Sequence, residues 1–371
     1  MDAAERVRRA IEAATRGLVD REAVVELIAL AAVAREHVLL IGPPGTAKSE
    51  AVRRISRTLG GRRFEYLLGR FTEPSEIFGP VDLARLRDGV VETRTDGMLP
   101  EAEIAFLDEV FLGSTAILNT LLGLLNERTF RRGHTVTPVP LRVCVGASNE
   151  LPDDPALAAF SDRFLLRAFV APIPDNLLET LLASGRTVDA PTGPGDLVAG
   201  SVEDLDVLAE AARAVDLDGV RPRLAEAIRT LRGSGIQLSD RRAVKSQRVI
   251  AAAAVLAGRQ RATDADLWPL VYVVPDTASQ ELARDVLRDL LASASNPALP
   301  SAAEEASRGP AARADRLVRA AEALFAAPER DLGWRLKLEG VVREVDAGFA
   351  PGSLPPALAA VRERIVGALA G

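Results

Sequence analysis

Cysteine is almost absent: Cys144 is the one copy in 371 residues. No disulfide framework and no cysteine-based metal cluster can be built, which points to a reducing, cytoplasmic setting. Histidine occurs twice, at His37 and His134, which argues against a zinc site. The chain also lacks a basic excess. Its 46 Lys plus Arg against 52 Asp plus Glu give a net charge of −6, the wrong balance for a general nucleic-acid binder. Lysine itself is scarce, with all but Lys48, Lys245 and Lys337 of the basic residues being arginine. Long hydrophobic runs are missing as well. The longest uncharged stretch, Val110–Asn126, falls short of the ~20 apolar residues of a membrane span and is interrupted by Gly113, Ser114, Asn119 and Thr120. The N-terminal MDAAERVRRAIEAATRG is charged throughout and has no apolar centre of the signal-peptide kind.

What is present suits a globular protein. Hydrophobic residues make up 48% and charged residues 26%, and the length is enough for two or three domains. Val7, Ile11, Ala14 and Leu18 fall at helical spacing, and Val24–Val33 is a second, mostly buried helical run. His37–Ile41 reads as a buried strand stopped by Gly42-Pro43-Pro44-Gly45, and Lys48–Leu59 as the helix that follows. Strand-like runs recur at Ile104–Leu107 and Val143–Ala147, with a helical stretch, Leu112–Leu125, between them. This alternation predicts an α/β fold with a largely parallel central sheet.

Two hairpins are expected within it. Asp88-Gly89 lies between Leu83–Arg87 and Val90–Thr95, and Gly133 between Thr129–Arg132 and Thr135–Val139. Ser184–Gly200 is rich in Gly and Pro and reads as a linker. Ser201–Leu291 reads as helical, with a break near Pro269–Pro275. A second loosening at Ser293–Pro310 precedes an Ala-rich helical tail. Cys144 and Trp268 read as core residues, His37 as a strand-edge residue and His134 as a turn residue.

Three signals carry chemistry. Gly42-Pro43-Pro44-Gly45-Thr46-Ala47-Lys48-Ser49 follows a strand and opens a helix, the setting of a phosphate-binding loop. Such a loop turns successive backbone N–H groups toward one point, and the helix N-terminus adds its positive end. Lys48 then reaches the β- and γ-phosphates of ATP, and Ser49 offers a hydroxyl to Mg²⁺. Ala47 stands where the strict pattern has its second glycine. The second signal is Ile104-Ala105-Phe106-Leu107-Asp108-Glu109, an apolar strand ending in two acids that are costly to bury without partners. Beside a nucleotide, Asp108 suits the metal and its water shell, and Glu109 suits polarisation of an attacking water. Third, Val143–Ala147 ends in Ser148-Asn149-Glu150, which places an amide at the tip of a central strand. Taken alone, Asn149 also fits a plain turn before Pro152.

Between Leu39 and Phe164 the sequence resembles an AAA+ ATPase of the MoxR type, closest to the RavA branch. The residues that carry the resemblance are GPPGTAKS (Gly42–Ser49), RFTEPSEIFGP (Arg70–Pro80), LPEAEIAFLDE (Leu99–Glu109), ILNTLLGLLNERTFR (Ile117–Arg131) and ASNELP (Ala147–Pro152), continued by LSDRR (Leu238–Arg242). Ala47 is usual in that branch. The resemblance implies a P-loop AAA+ core with an all-helical lid, assembled as a hexameric ring with ATP and Mg²⁺ between subunits. It implies that Asn149 is the sensor-one residue, Arg163 an arginine finger acting on a neighbour, and Arg241 (or Arg242 beside it) the lid sensor. It also implies a protein partner bearing a von Willebrand factor A domain, and chaperone-like remodelling. The RavA branch carries a β-rich insertion on its lid, whereas residues after Leu291 here read as helical. A partner that docks through such an insertion is therefore not implied. The expected organisation is a nucleotide-binding core over 1–183 with inserts near 81–97 and 129–141, a linker at 184–200, a lid at 201–291 and a helical extension at 292–371. Two other readings stay open: a nucleotide-gated scaffold, and a nucleic-acid motor using Arg241, Arg242, Lys245 and Arg248.

Overall fold

The computed structural model describes residues 2–188, 200–308, 314, 317–318, 321–322, 324–325, 332–349 and 354–370. Two helices open the chain, α1 (Ala3–Thr15) and α2 (Glu22–Ala34), followed by β1 (Val38–Ile41) and α3 (Lys48–Leu59). Next come β2 (Arg63–Leu67), the short helices α4 (Pro74–Phe78) and α5 (Leu83–Arg87), and β3 (Ile104–Asp108). The segment continues through α6 (Thr115–Glu127), β4 (Thr129–Arg132), β5 (Thr135–Pro138), β6 (Val143–Ser148), α7 (Pro155–Ser161), β7 (Leu166–Phe169) and α8 (Leu178–Val188). Helices alone follow: α9 (Val202–Arg213), α10 (Arg221–Gly233), α11 (Asp240–Leu256), α12 (Leu270–Val273), α13 (Thr277–Val286), α14 (Arg288–Leu291) and α15 (Pro300–Ser307). Two longer helices, Leu332–Gly348 and Pro356–Ala370, close the chain.

The fold is an α/β core with a parallel sheet, followed by an all-helical segment. Five strands lie in the order β2-β3-β6-β1-β7, every pairing parallel. Successive side chains of a strand point to opposite faces, so β1 divides its residues between two cores. Val38 and Leu40 join α1, α2, α3 and the later helices α9 and α11 on one face. Leu39 and Ile41 join α6, Phe78, Phe130 and Phe164 on the other. Both faces being covered explains why β1, β3 and β6 are continuous apolar runs. Ala314, Leu317, Trp334, Leu338 and Leu358 pack into a separate cluster at the C-terminal end.

The structure corrects several expectations. Leu83–Arg87 is a helix, not the first strand of a hairpin. Asp82 caps it by accepting from the N–H groups of Ala84 and Arg85. Asp88-Gly89 ends it: the Gly89 and Val90 N–H groups bond back to Leu86 and Arg85, with Gly89 at φ +78°. That is a Schellman cap, which uses the same left-handed glycine as a hairpin turn. One antiparallel bridge, Val81 to Thr93, is all that remains of the expected pairing. The second hairpin, β4–β5, forms as expected. α8 runs to Val188, inside the expected linker, and residues 189–199 of that stretch lie outside the described residues. The loosening at Ser293–Pro310 contains α15, whose Ala302, Ala303 and Ala306 are buried in the main core. β2 and β7 went unnamed in the sequence.

His37 is fully buried and not a strand-edge residue. Its Nδ1 accepts the Cys144 N–H at 3.0 Å and its Nε2 lies 3.1 Å from the Leu125 carbonyl oxygen. Burial holds its pKa well below the ordinary histidine range, so the ring is neutral. Cys144 beside it is a packed core residue, its thiol pushed up to about 12 by burial.

Candidate functional site

Because every pairing in the sheet is parallel, the C-terminal ends of β3, β6 and β1 open side by side on one edge. The sequence motifs follow those three strands. The Gly42 N–H donates to Ser148 O at 3.1 Å, tying the start of the Gly42–Ser49 loop to the end of β6. A Cβ on Gly42 would lie 2.1 Å from Val170 O, so only glycine fits this close approach. Pro43, Pro44 and Gly45 are exposed, while Thr46 and Lys48 are buried. Thr46 Oγ1 donates to Pro43 O at 2.9 Å, and Lys48 Nζ donates to Gly42 O at 2.5 Å and Pro43 O at 2.9 Å. Burial draws the Lys48 pKa down, and the charges of Asp108 and Glu109 oppose that. Ala47, the N-cap of α3, is left-handed at φ +59°, a region that costs an L-residue about 1–2 kcal/mol. No side chain caps the first turn of α3, unlike α5, α6, α7 and α9. Its N–H groups are left for an anion.

The two acids complete this edge. Asp108 Oδ2 lies 3.4 Å from Ser49 Oγ, and Asp108 Oδ1 accepts the Glu109 N–H at 3.0 Å. Glu109 is left-handed at φ +50°. Asn149 Nδ2 donates to Glu109 Oε1 at 2.8 Å. Thus the loop, Asp108, Glu109 and Asn149 form one hydrogen-bonded group, as their strand positions predict. Mg²⁺ keeps most of its water and takes one or two protein ligands, so a hydroxyl beside a carboxylate fits it. Among the described residues no cluster of three or more His, Cys, Asp or Glu is grouped to hold a metal.

Arg163 and Arg241 are not brought to this edge within the chain. Arg163 follows α7 on the way to β7, whose first residue Leu166 donates to His37 O, just before β1. Its Nε is buried with no hydrogen-bond partner. Arg241 Nη2 donates to Asn126 Oδ1 at 2.6 Å, beside the Leu125 carbonyl that faces His37. Both therefore sit at the N-terminal edge of the sheet, the length of β1 from the phosphate loop, roughly 13 Å. Arg242 is a structural residue, 2% exposed. It donates to Asp162 at 2.6 Å and to the carbonyls of Phe164, Leu165 and Val273. Lys245 and Arg248 both pair with Glu36, at 2.6 and 2.8 Å, and Glu36 is 1% exposed. Arg242 and Lys245 are thus engaged within the fold, while Arg248, although paired with Glu36, keeps 60% of its side chain exposed.

Comparison with known proteins agrees with this arrangement. Residues 5–208 match the profile of the MoxR domain in the MoxR-vWA-beta-propeller ternary systems, and residues 217–285 that of an AAA lid domain. The chain belongs to the MoxR family of AAA+ ATPases. Two uncharacterised proteins of Methanocaldococcus jannaschii are each 37% identical to it, over 257 and 260 residues. The alignments cover 68% and 69% of this chain and 67% of each relative. The chaperone MoxR1 of Mycobacterium tuberculosis is 29% identical over 187 residues, 49% of this chain and 48% of its own length. The crystal structure of a Cytophaga hutchinsonii protein described as a candidate ATPase shares the fold, with a TM-score of 0.63 at 15% identity. That likeness covers 79% of this chain and 96% of the other. The family match is to the MoxR domain and does not extend to the RavA branch.

One residue at the site of this MoxR-family chain escaped the sequence. Arg21, 3% exposed, donates from Nε to Thr46 O at 2.8 Å and from Nη2 to Ala171 O at 2.6 Å. Its partners lie 25 and 150 residues away. No local pattern in the sequence separates it from the other arginines; its contacts to Thr46 and Ala171 do.

Proposed function

We propose that the protein is a Mg²⁺-dependent ATP hydrolase that assembles as a ring, with six subunits by family analogy. Its cycle serves chaperone-like remodelling or maturation of a protein partner in the cytoplasm. The partner class is a von Willebrand factor A domain protein, supported by the name of the matching MoxR domain and by the chaperone relative. The observation that carries the hydrolase reading is Glu109, set beside the phosphate loop and held by Asn149. A nucleotide-gated scaffold needs the loop but has no use for an oriented carboxylate at that position.

In this reading Lys48 leaves the Gly42 and Pro43 carbonyls for the β- and γ-phosphates, and the uncapped N–H groups of α3 bind the same oxygens. Ser49 and Asp108, the latter through water, would hold Mg²⁺, which would supply positive charge to the phosphates. Glu109 takes a proton from the attacking water, and Asn149 fixes the Glu109 carboxylate. Arg163 of a neighbouring subunit reaches the γ-phosphate. Its position on the opposite edge of the sheet from its own loop supports action on a neighbour, and the same holds for Arg241. We place the core at 1–183, a linker at 184–200, the lid at 201–291 and an extension at 292–371. Kinship with the RavA branch rests on the motif run alone. Among the described residues no helix is long and apolar enough to cross a membrane.

The test compares wild type with Glu109→Gln in ATP turnover and in binding of a fluorescent ATP analogue. Turnover should fall about 10²–10⁴-fold while binding is retained. A variant that hydrolyses at the wild-type rate would sink the assignment.

A further inference from the structure

Three chain segments meet at the buried Arg21 guanidinium. Nε donates to Thr46 O in the phosphate loop, Nη2 to Ala171 O just beyond β7, and Nη1 to Asp20 O of its own segment. A trans peptide is planar, with its carbonyl and the following N–H pointing in opposite directions. Holding Thr46 O therefore aims the Ala47 N–H away from Arg21, toward the open side of the loop. Among the described residues no protein group accepts from that N–H. The peptide flanks Ala47, which is left-handed at φ +59° where a glycine would sit without strain. A Cβ at this position favours rotation of the peptide out of the anion-binding conformation, and Arg21 opposes that rotation from behind.

We infer that Arg21 is a positioning residue of the phosphate loop: by fixing the Thr46–Ala47 peptide it holds a backbone N–H toward the nucleotide phosphates and replaces the conformational freedom a glycine would supply. The inference rests on the nucleotide-binding reading proposed above. Arg21 has no route to the phosphates itself, since its three nitrogens face the carbonyls of Thr46 in the loop, Ala171 after β7 and Asp20. Spanning the loop and the segment after β7 at once needs the planar fork of a guanidinium. A lysine keeps the charge but cannot span both in the same way.

The experiment is a double-mutant cycle on the full chain, read as affinity for a fluorescent ATP analogue with Mg²⁺ present. Arg21→Ala should weaken binding about tenfold or more, the scale of a lost charged hydrogen bond, and Arg21→Lys nearly as much. In the Ala47→Gly background the same Arg21→Ala change should cost under about threefold, because glycine holds the loop conformation unaided. If R21A does not fold, as read by thermal melting, R21K completes the same cycle. An equal loss in both backgrounds, or no loss with Ala47 present, overturns the inference while the nucleotide reading stands. Failure of the wild type to bind the analogue overturns both, and the nucleotide reading first.

Discussion

Left-handed backbone at residues other than glycine is confined to Asp20, Arg35, Ala47, Glu109 and Arg128 among the described residues. Ala47 and Glu109 belong to the candidate site, and Asp20 precedes the arginine that braces it. Arg35 and Arg128 are ordinary left-handed ends of α2 and α6, whereas Ala47 and Glu109 hold this costly conformation at the site itself. The phosphate loop and the Asp108-Glu109 pair were legible in the sequence because each is a contiguous run with its own strand context. Asn149 was legible as the tip of the next apolar strand. Arg21 was not, because long-range contacts define it. The residue scale carries one prediction beyond the Glu109 test. Asn149→Ala releases the Glu109 carboxylate, so kcat should drop about 10²-fold with KM little changed. A raised KM with kcat intact would make Asn149 a binding residue instead.

Strands were legible where they are unbroken apolar runs and hidden where charged residues interrupt them. β1, β3 and β6 are apolar runs, but β2 alternates Arg63 and Glu65 with Phe64 at the sheet edge, and β7 carries the buried Arg167 in its middle. The Asp88-Gly89 pair misled because a hairpin turn and a helix cap draw on the same left-handed glycine; the Asp82 cap decides for helix. The two neighbouring arginines of α11 separate on burial. Arg242→Ala strips a buried charge from Asp162 and three carbonyls, and should cost about 3–5 kcal/mol of stability. Arg241→Ala should leave the melting temperature within a few degrees of wild type and lower turnover in the assembly. Thermal melts of the pair check this, and equal melting temperatures would contradict it.

A second element-scale prediction concerns how α15 docks. Glu26 on α2 accepts the N–H groups of Ser301 and Ala302 at the start of α15, at 3.3 and 2.7 Å. Burial raises its pKa from 4.5 to about 7 despite those donors. The folded state thus favours protonated Glu26. This contribution to stability is fully present below pH 4.5 and is lost as pH rises to about 7, on the order of 3 kcal/mol. Glu26→Gln keeps an acceptor and cannot ionise, so its melting temperature relative to wild type should rise between pH 5 and 7 and then level off. Parallel pH profiles for the two proteins would contradict the assignment.

At the scale of the whole molecule, the parallel sheet sorts the candidate residues onto two edges. The loop, Asp108, Glu109 and Asn149 lie at the C-terminal edge, with Arg163 and Arg241 at the N-terminal one. The lid helix α11 is fastened to that second edge through Glu36, Asp162 and Asn126. This separation was not legible in the sequence, where motif order says nothing about which edge an arginine reaches. A monomer is therefore an incomplete site in the proposed mechanism. The most direct test is ATP turnover per subunit as a function of protein concentration, with native mass measured alongside, for wild type and Arg163→Ala. Turnover should rise with formation of a roughly sixfold assembly, and the variant should assemble yet lose about 10³-fold or more. A monomer that hydrolyses ATP at the full rate, indifferent to dilution and to Arg163, would contradict the shared site.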